Sequence, residues 1–486
     1  MYTAVLPCFG ALLIATATAA PSWHADNDRH IHQPAAAEDQ LVTPFSNETL
    51  YHQQANAFWS ATAYKDPRCI FTPDTIEKLR TAVLSVGFTD CRFAVRSGGH
   101  SPFSGFASID NGLLISMSKF TDLHYDEATH TQRSGMGNRW GDIYGYLAGF
   151  GRIVVGGRLN DVGLALATGG GLSHLSNAHG WVAQNVVSYE VMLANGSHVN
   201  ASATENPDLY FGVKVANNNF GIITHINQRT FPMGKVWGGS IIYSANYSED
   251  FMAAIAEYQE KGQLDTKSAI LPYLAFTNDT ILSTFVYLDH LDRPTAFAPF
   301  YDIPSVADTT QIHDSFYEFA SGGQFSLPRW TYGTTTLYLD RETYVGLVNV
   351  ISKFVPRVQG VQSGTLALMA QPISKSMAEA SRERGGDPMN VTPRDQLWAA
   401  VNIGWSLESD DDTVYQILQD CVAAVDEYVK VQGVFDGFRF INDAYTNQQP
   451  FRSYGEDSWS RLKDVHQQYD PMGVFQHLVP GGFKLH

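Results

Sequence analysis

The sequence predicts an α+β protein built in two parts, and three observations carry that expectation. Its 486 residues exceed what one hydrophobic core usually organises. From Cys69 to about Pro232, short β-branched runs alternate with Gly-rich turns and two or three helices. From residue 236 to 430 the character changes to longer strands intermixed with amphipathic helices, before Gly- and Asn-rich turns return near the C-terminus.

Taken in order, Met1 to Ala20 runs apolar through Leu6, Leu12, Leu13 and Ile14, with Ala17 and Ala19 spaced for signal-peptidase cleavage. This reads as a secretory signal over 1–19, or as a short hydrophobic helix, since a basic leading region is missing. Sequons at Asn47, Asn195, Asn200, Asn246, Asn278 and Asn390 are compatible with a glycosylated secretory protein. Residues 20–61 are polar; His24, His30 and His32 near Asp26 and Asp28 read as part of a mobile arm rather than a metal site, and no metal is expected.

Cys69 and Cys91 bracket a helical stretch in which Pro73 suits the first turn, Ile76, Leu79 and Val83 share a face, and Gly87 suits the end. A disulfide between them would contribute about 3 kcal/mol in the chain-entropy account; the alternative is two buried thiols. Cys421, among Ile417, Leu418, Val422 and Val425, reads as a core thiol. Strands are expected at Phe93 to Val95, Leu113 to Ile115, Val187 to Leu193, Gly239 to Tyr243 and Ile281 to Leu288, and helices at Phe251 to Glu260 and Tyr415 to Val429.

With 32 basic and 49 acidic residues, the formal charge of −17 has the wrong sign for neutralising nucleic-acid phosphates. Outside the N-terminus no stretch is apolar for the length of a membrane span. There is no Walker A sequence, no HExxH and no GxSxG, and the glycines at 135, 137 and 141 lack dinucleotide-fold spacing.

The chemistry concentrates in three Gly- or Asn-rich turns. Arg96-Ser97-Gly98-Gly99-His100-Ser101 follows an apolar strand, and its paired glycines let backbone amides face a bound anion. Thr168-Gly169-Gly170-Gly171 and Asn217-Asn218-Asn219-Phe220-Gly221 imply two more close backbone approaches to one extended ligand. With Gly105, Trp140-Gly141, Gly156-Gly157, Val162-Gly163, Ala201 to Leu209, Ile222-Ile223-Thr224 and Tyr469-Asp470-Pro471, these motifs resemble the FAD-linked oxidoreductases of the vanillyl-alcohol oxidase (PCMH) type, and within them the berberine-bridge-enzyme-like oxidases. The resemblance covers nearly the whole mature chain.

It implies a two-part FAD-binding domain over 62–233, an antiparallel substrate-domain sheet backed by helices over 234–430, and a segment over 431–486 returning to the flavin. The histidine after the paired glycines bonds the flavin 8α carbon in that family, and that position is His100. An imidazole nitrogen is nucleophilic enough near neutral pH for such a bond. The resemblance further implies cofactor contacts at Arg96, Ser97, Gly98, Gly99, Ser101, Gly105, Gly157, Gly163, Thr168, Gly169, Gly170, Gly171, Asn185, Phe220, Gly221, Ile223 and Asn442.

Three departures qualify it. Many relatives add a second tether through a cysteine where this chain has Leu159, so a single link is expected, which fits a smaller and more enclosed substrate than an oligosaccharide. Relatives commonly carry glycines where Val215-Ala216-Asn217-Asn218 stands. Near the C-terminus, Phe440 and Asp443 replace tyrosines that flank the asparagine corresponding to Asn442. Removing hydride from an alcohol or amine requires a proton acceptor, for which Asp443 is the first candidate and Tyr445 the second; both could equally be structural. His174 would face the flavin edge or cap a helix.

The expectation is a monomeric, secreted oxidase acting on a small specialised-metabolite intermediate, with hydride passing to flavin N5 and dioxygen reduced to hydrogen peroxide. The alternatives are a secreted carbohydrate oxidase and a flavin-bearing scaffold for a redox-neutral cyclisation.

Overall fold

The computed structural model describes residues 40–320, 327–384 and 386–485. The apolar opening and the histidine-rich stretch at 24–32 lie outside them.

The first sheet holds β1 (Leu41–Val42), β2 (Cys69–Phe71), β3 (Phe93–Arg96) and β4 (Leu113–Ser116) in the order β1-β2-β4-β3. β2 and β3 run parallel to β4 on its two sides, joined by a helical crossover. This arrangement corrects the expected disulfide. Cys69 and Phe93 both pair with Leu113, so two strand spacings, about 9–10 Å, separate the strands that would have to be bridged, beyond the roughly 7 Å a disulfide spans. Cys69 is a free, buried thiol, as is Cys421.

The residues before β2 are not all a loose arm. β1 pairs with β2, and helix α1 (Glu48–Ala55) is capped by Asn47, whose side chain accepts the Leu50 N–H. The crossover helix α2 (Ile76–Thr89) begins later than Pro73 suggests: the Thr75 hydroxyl accepts the Lys78 N–H. Gly87 lies within α2, and Asp90, in the left-handed region at φ 52°, ends it.

The second sheet contains β5 (Leu123–Asp126), β6 (Thr131–Gly135), β7 (Arg152–Val154), β8 (Val186–Met192), β9 (His198–Ser202) and β10 (Ile222–Pro232). Its order is β5-β6-β10-β8-β9, antiparallel throughout, with β7 pairing the far end of β10. The half-buried Glu190 carboxylate on β8 takes two hydrogen bonds from Arg133 and lies 3.2 Å from His225.

The third sheet is antiparallel and gathers β11 (Val236–Ser244), β12 (Ser268–Ala275), β13 (Thr280–Tyr287), β14 (Ser305–Asp308), β15 (Gln311–His313), β16 (Arg329–Tyr338), β17 (Thr365–Ile373), β18 (Gln396–Trp405) and β19 (Phe435–Asp436). Strand periodicity divides its residues between two faces. Ile270, Leu274, Ile281, Phe285, Leu368 and Val401 enter one core with the helices α3 (Ser248–Glu260), α4 (Arg341–Ser352) and α5 (Asp411–Val431). Their neighbours Leu271, Tyr273, Leu282, Thr284, Met369 and Asn402 point the other way and line a cavity.

The C-terminal stretch rejoins the first core through Phe440, Ile441, Trp459, Leu462 and Phe475. Its tail is tied down by Asn218, which donates to the Gly481 carbonyl at 3.3 Å, and Asn219, which donates to the Phe483 carbonyl at 2.9 Å. No helix among the described residues is long and apolar enough to cross a membrane.

Candidate active site

A cavity of about 570 Å³ lies between the glycine loops and the free face of the third sheet. The loop after β3 forms one end. Ser97 donates to the Met136 carbonyl at 2.5 Å, fixing the loop's start. Gly98 lies backbone to backbone against Gly163, where a methyl group would have no room. Gly99 adopts φ 67°, which L side chains rarely tolerate. None of the N–H groups from Gly98 to Ser101 donates to an acceptor among the described residues, so this row is available to an anion.

His100 follows directly. Its ring stacks on Trp59, with centroids 4.6 Å apart and 7° between planes. Burial, reinforced by the Arg139 charge, holds the imidazole down to about 4, so it is neutral at physiological pH with a lone pair available. Thr168, Asn217, Asn218, Gly221 to Ile223, Gly482 and Phe483 continue the lining. A cavity with amides that are unpaired among the described residues, close glycine contacts and a neutral imidazole fits the expected FAD.

On the opposite side, Asn442 donates to the Gly169 carbonyl at 3.0 Å. Asp443 lines the cavity and accepts from Gln371 Nε2 at 2.8 Å. Burial raises its carboxyl above the usual range, against the opposing effects of the Gln371 hydrogen bond and the Arg158 charge. Arg158, which also lines the cavity, donates to Gln371 Oε1 at 2.5 Å.

Of the expected site residues, Ser97, Gly98, Gly99, His100, Ser101, Gly163, Thr168, Gly221, Ile223, Asn442 and Asp443 meet at this cavity. The others lie outside its lining, each for a packing reason. The Arg96 guanidinium turns to the Gln54 carbonyl and Ser116 hydroxyl beneath Phe58. Gly157 seats the Trp140 indole, while Gly169, Gly170 and Gly171 make room for Asn442, Met389 and Val182. Phe220 fills the space over Gly212. Asn185 donates to the His179 and Trp181 carbonyls, both at 2.9 Å, and accepts from Arg384.

Gly105 and Tyr445 border a separate groove with Phe103 on its wall, so Tyr445 does not share a space with Asp443. His174 neither faces the main cavity nor caps the adjacent helical turn, where Leu175 holds the cap position. It lies against Phe319 with its Nδ1 unpartnered. Burial, with the Arg158 charge adding, lowers it to about 3.

Four lining or supporting residues escaped the sequence reading: Trp59, Arg158, Tyr332 and Gln371. Trp59 fell in the supposed arm, and Arg158 in a stretch read only for a missing thiol. Tyr332 and Gln371 come from the third sheet, where nothing in the local pattern marks a cavity-facing position.

The chain matches the FAD binding domain family over residues 67–202. It is 49% identical to the bifunctional solanapyrone synthase of Alternaria solani, over 93% of this chain and 88% of that protein. Among solved structures, 6-hydroxy-D-nicotine oxidase from Arthrobacter nicotinovorans superposes with a TM-score of 0.75 at 20% identity, covering 90% of this chain and 96% of the other. Xylooligosaccharide oxidase from Myceliophthora thermophila gives 0.74 at 20% identity, covering 90% and 98%.

Proposed function

Because the chain belongs to the FAD-linked oxidoreductases of the vanillyl-alcohol oxidase type, in their berberine-bridge-enzyme-like branch, we propose that it is a secreted oxidase of a small, largely apolar specialised-metabolite intermediate, with FAD tethered once at His100. The carrying observation is a neutral imidazole at the end of a row of unpaired amides, in a cavity whose far side holds a carboxyl group.

When bound, FAD supplies the two-electron acceptor, taking hydride at N5 and returning the electrons to dioxygen as hydrogen peroxide. The amides of Gly98 to Ser101 would hold its diphosphate, and Gly221 to Ile223 with Gly482 and Phe483 would line its site. Trp59 keeps the His100 ring in one plane. Leu159 offers no sulfur for a second bond.

Asp443 accepts the proton that leaves the substrate's hydroxyl or ammonium group, its carboxylate aimed by the Gln371 amide. Leu271, Leu282, Met369 and Phe319 exclude water from the substrate end. This apolar stretch of the wall, which lies beside the polar Tyr273, Thr284 and Asn402, together with the name of the Alternaria solani relative, supports a metabolite over a carbohydrate.

That relative is also called bifunctional, which keeps a second reading in view: the same cavity promoting a redox-neutral cyclisation. Anaerobic mixing separates the two, because a redox-neutral step forms product while the yellow colour persists. The tether is tested by denaturing precipitation. A yellow pellet whose flavin maps to the His100 peptide supports it, and a colourless pellet with free FAD in the supernatant refutes it. Secretion is tested by finding the chain, cleaved near residue 19 and glycosylated, in culture medium.

A further inference from the structure

Among the described residues lining the main cavity, two side chains carry charge, Arg158 and Asp443. They form no direct ion pair. The Gln371 amide sits between them, its oxygen on the guanidinium at 2.5 Å and its nitrogen on the carboxylate at 2.8 Å. The bond to the Gln371 oxygen is the one hydrogen bond the Arg158 guanidinium makes among the described residues, leaving most of its five donors without an acceptor among them. His174 behind it is neutral and brings no negative charge.

A cation held beside apolar side chains without a contacting carboxylate is costly to bury. The site becomes favourable when an oxyanion enters, because Arg offers a planar, bidentate surface for one. The Asp443 carboxylate, held by the Gln371 amide, makes no ion pair with the guanidinium and so leaves it open to an incoming oxyanion. Elsewhere the wall combines Leu271, Leu282, Met369 and Phe319, which suit a hydrocarbon body, with the polar Tyr273, Thr284 and Asn402.

We propose that Arg158 anchors the substrate, and that the substrate is a lipophilic molecule bearing an oxyanion, either a carboxylate or an enolate, with its oxidisable carbon directed to the Asp443 side. The placement of that carbon rests on the oxidase reading above; the oxyanion preference stands on the cavity alone.

The test is calorimetric titration of the purified holoprotein with paired probes. Cinnamate is compared with cinnamyl alcohol for a carboxylate, and dimedone with its methyl enol ether for an enolate. Wild-type protein is expected to bind at least one anion ten-fold or more tightly than its neutral partner, and the favoured pair identifies the source. Arg158→Met is expected to abolish that preference and Arg158→Lys to keep part of it. Wild-type protein that binds anion and neutral probe equally overturns the proposal whatever the variants do. So does an Arg158→Met protein that keeps the preference, or one that changes only the flavin spectrum, which would assign the guanidinium to the cofactor. Flavin content measured on the same samples separates the two ideas: colourless protein that still prefers anions refutes the oxidase reading alone, and yellow protein without the preference refutes this one alone.

Discussion

The indole of Trp59 lies flat on the imidazole of His100, and Trp330 stacks on the same indole with centroids 5.8 Å apart. An aromatic pair of this kind is worth about 0.5–1.5 kcal/mol beyond area burial. Replacing Trp59 with leucine is therefore expected to lower the fraction of flavin that survives acid precipitation with the protein, while phenylalanine retains most of it. His100→Ala should abolish that fraction. Absorbance of pellet and supernatant reads both.

Asp443→Asn removes the proton acceptor but keeps a side chain that Gln371 can still hold. Turnover should fall by about 10²–10⁴-fold with flavin content unchanged. The carboxyl must be deprotonated to act, so wild-type activity should rise as pH climbs through its raised pKa, above the usual carboxylate range. A pH–rate profile of the variant should lack that rising limb.

Two glycines should respond in opposite directions to alanine. At Gly98 the added methyl meets the Gly163 backbone, which cannot move aside as a side chain would, for an expected cost of about 1–3 kcal/mol. At Gly87, inside α2 with open space around it, alanine should stabilise by about 0.5–1 kcal/mol. Denaturant unfolding of the two variants against wild type measures both signs.

Glu190 gives the second sheet an acid-sensitive point. Burial alone would raise its carboxyl, but hydrogen bonds from His225 and Arg133 overcome this and leave it at about 2, against 4.5 ordinarily. A depressed folded pKa stabilises fully above the unfolded value and is lost as protons bind. The wild type should accordingly lose stability between about pH 4.5 and 2, and Glu190→Gln should flatten that part of the curve. Thermal melts across the range provide the comparison.

Cys69 and Cys421 are each pushed up to about 12 by burial, so neither should react with iodoacetamide in the folded protein. Both should alkylate after unfolding without reductant, and peptide mass mapping tests this.

The glycine motifs pointed to a loop that lines the cavity, because a positive φ at Gly99 and the absent Cβ at Gly98 are constraints a sequence states directly. Several motif glycines nevertheless serve packing: Gly157 admits Trp140 and Gly169 admits Asn442, and a glycine that receives a side chain reads like one that receives a ligand. The disulfide failed for a topological reason, since spacing along the chain does not reveal that β4 inserts between β2 and β3. Arg158 and Gln371 lie 213 positions apart and meet only when the third sheet faces the first part of the molecule, a relationship no local pattern encodes.

The free face of the third sheet is supported from behind by helices whose core is separate from that of the glycine loops. Exchanging Leu271, Leu282 or Met369 therefore alters the shape and appetite of the chamber without disturbing the masonry that grips the nucleotide. A lineage could retune what it consumes one side chain at a time, keeping the same electron-handling apparatus throughout.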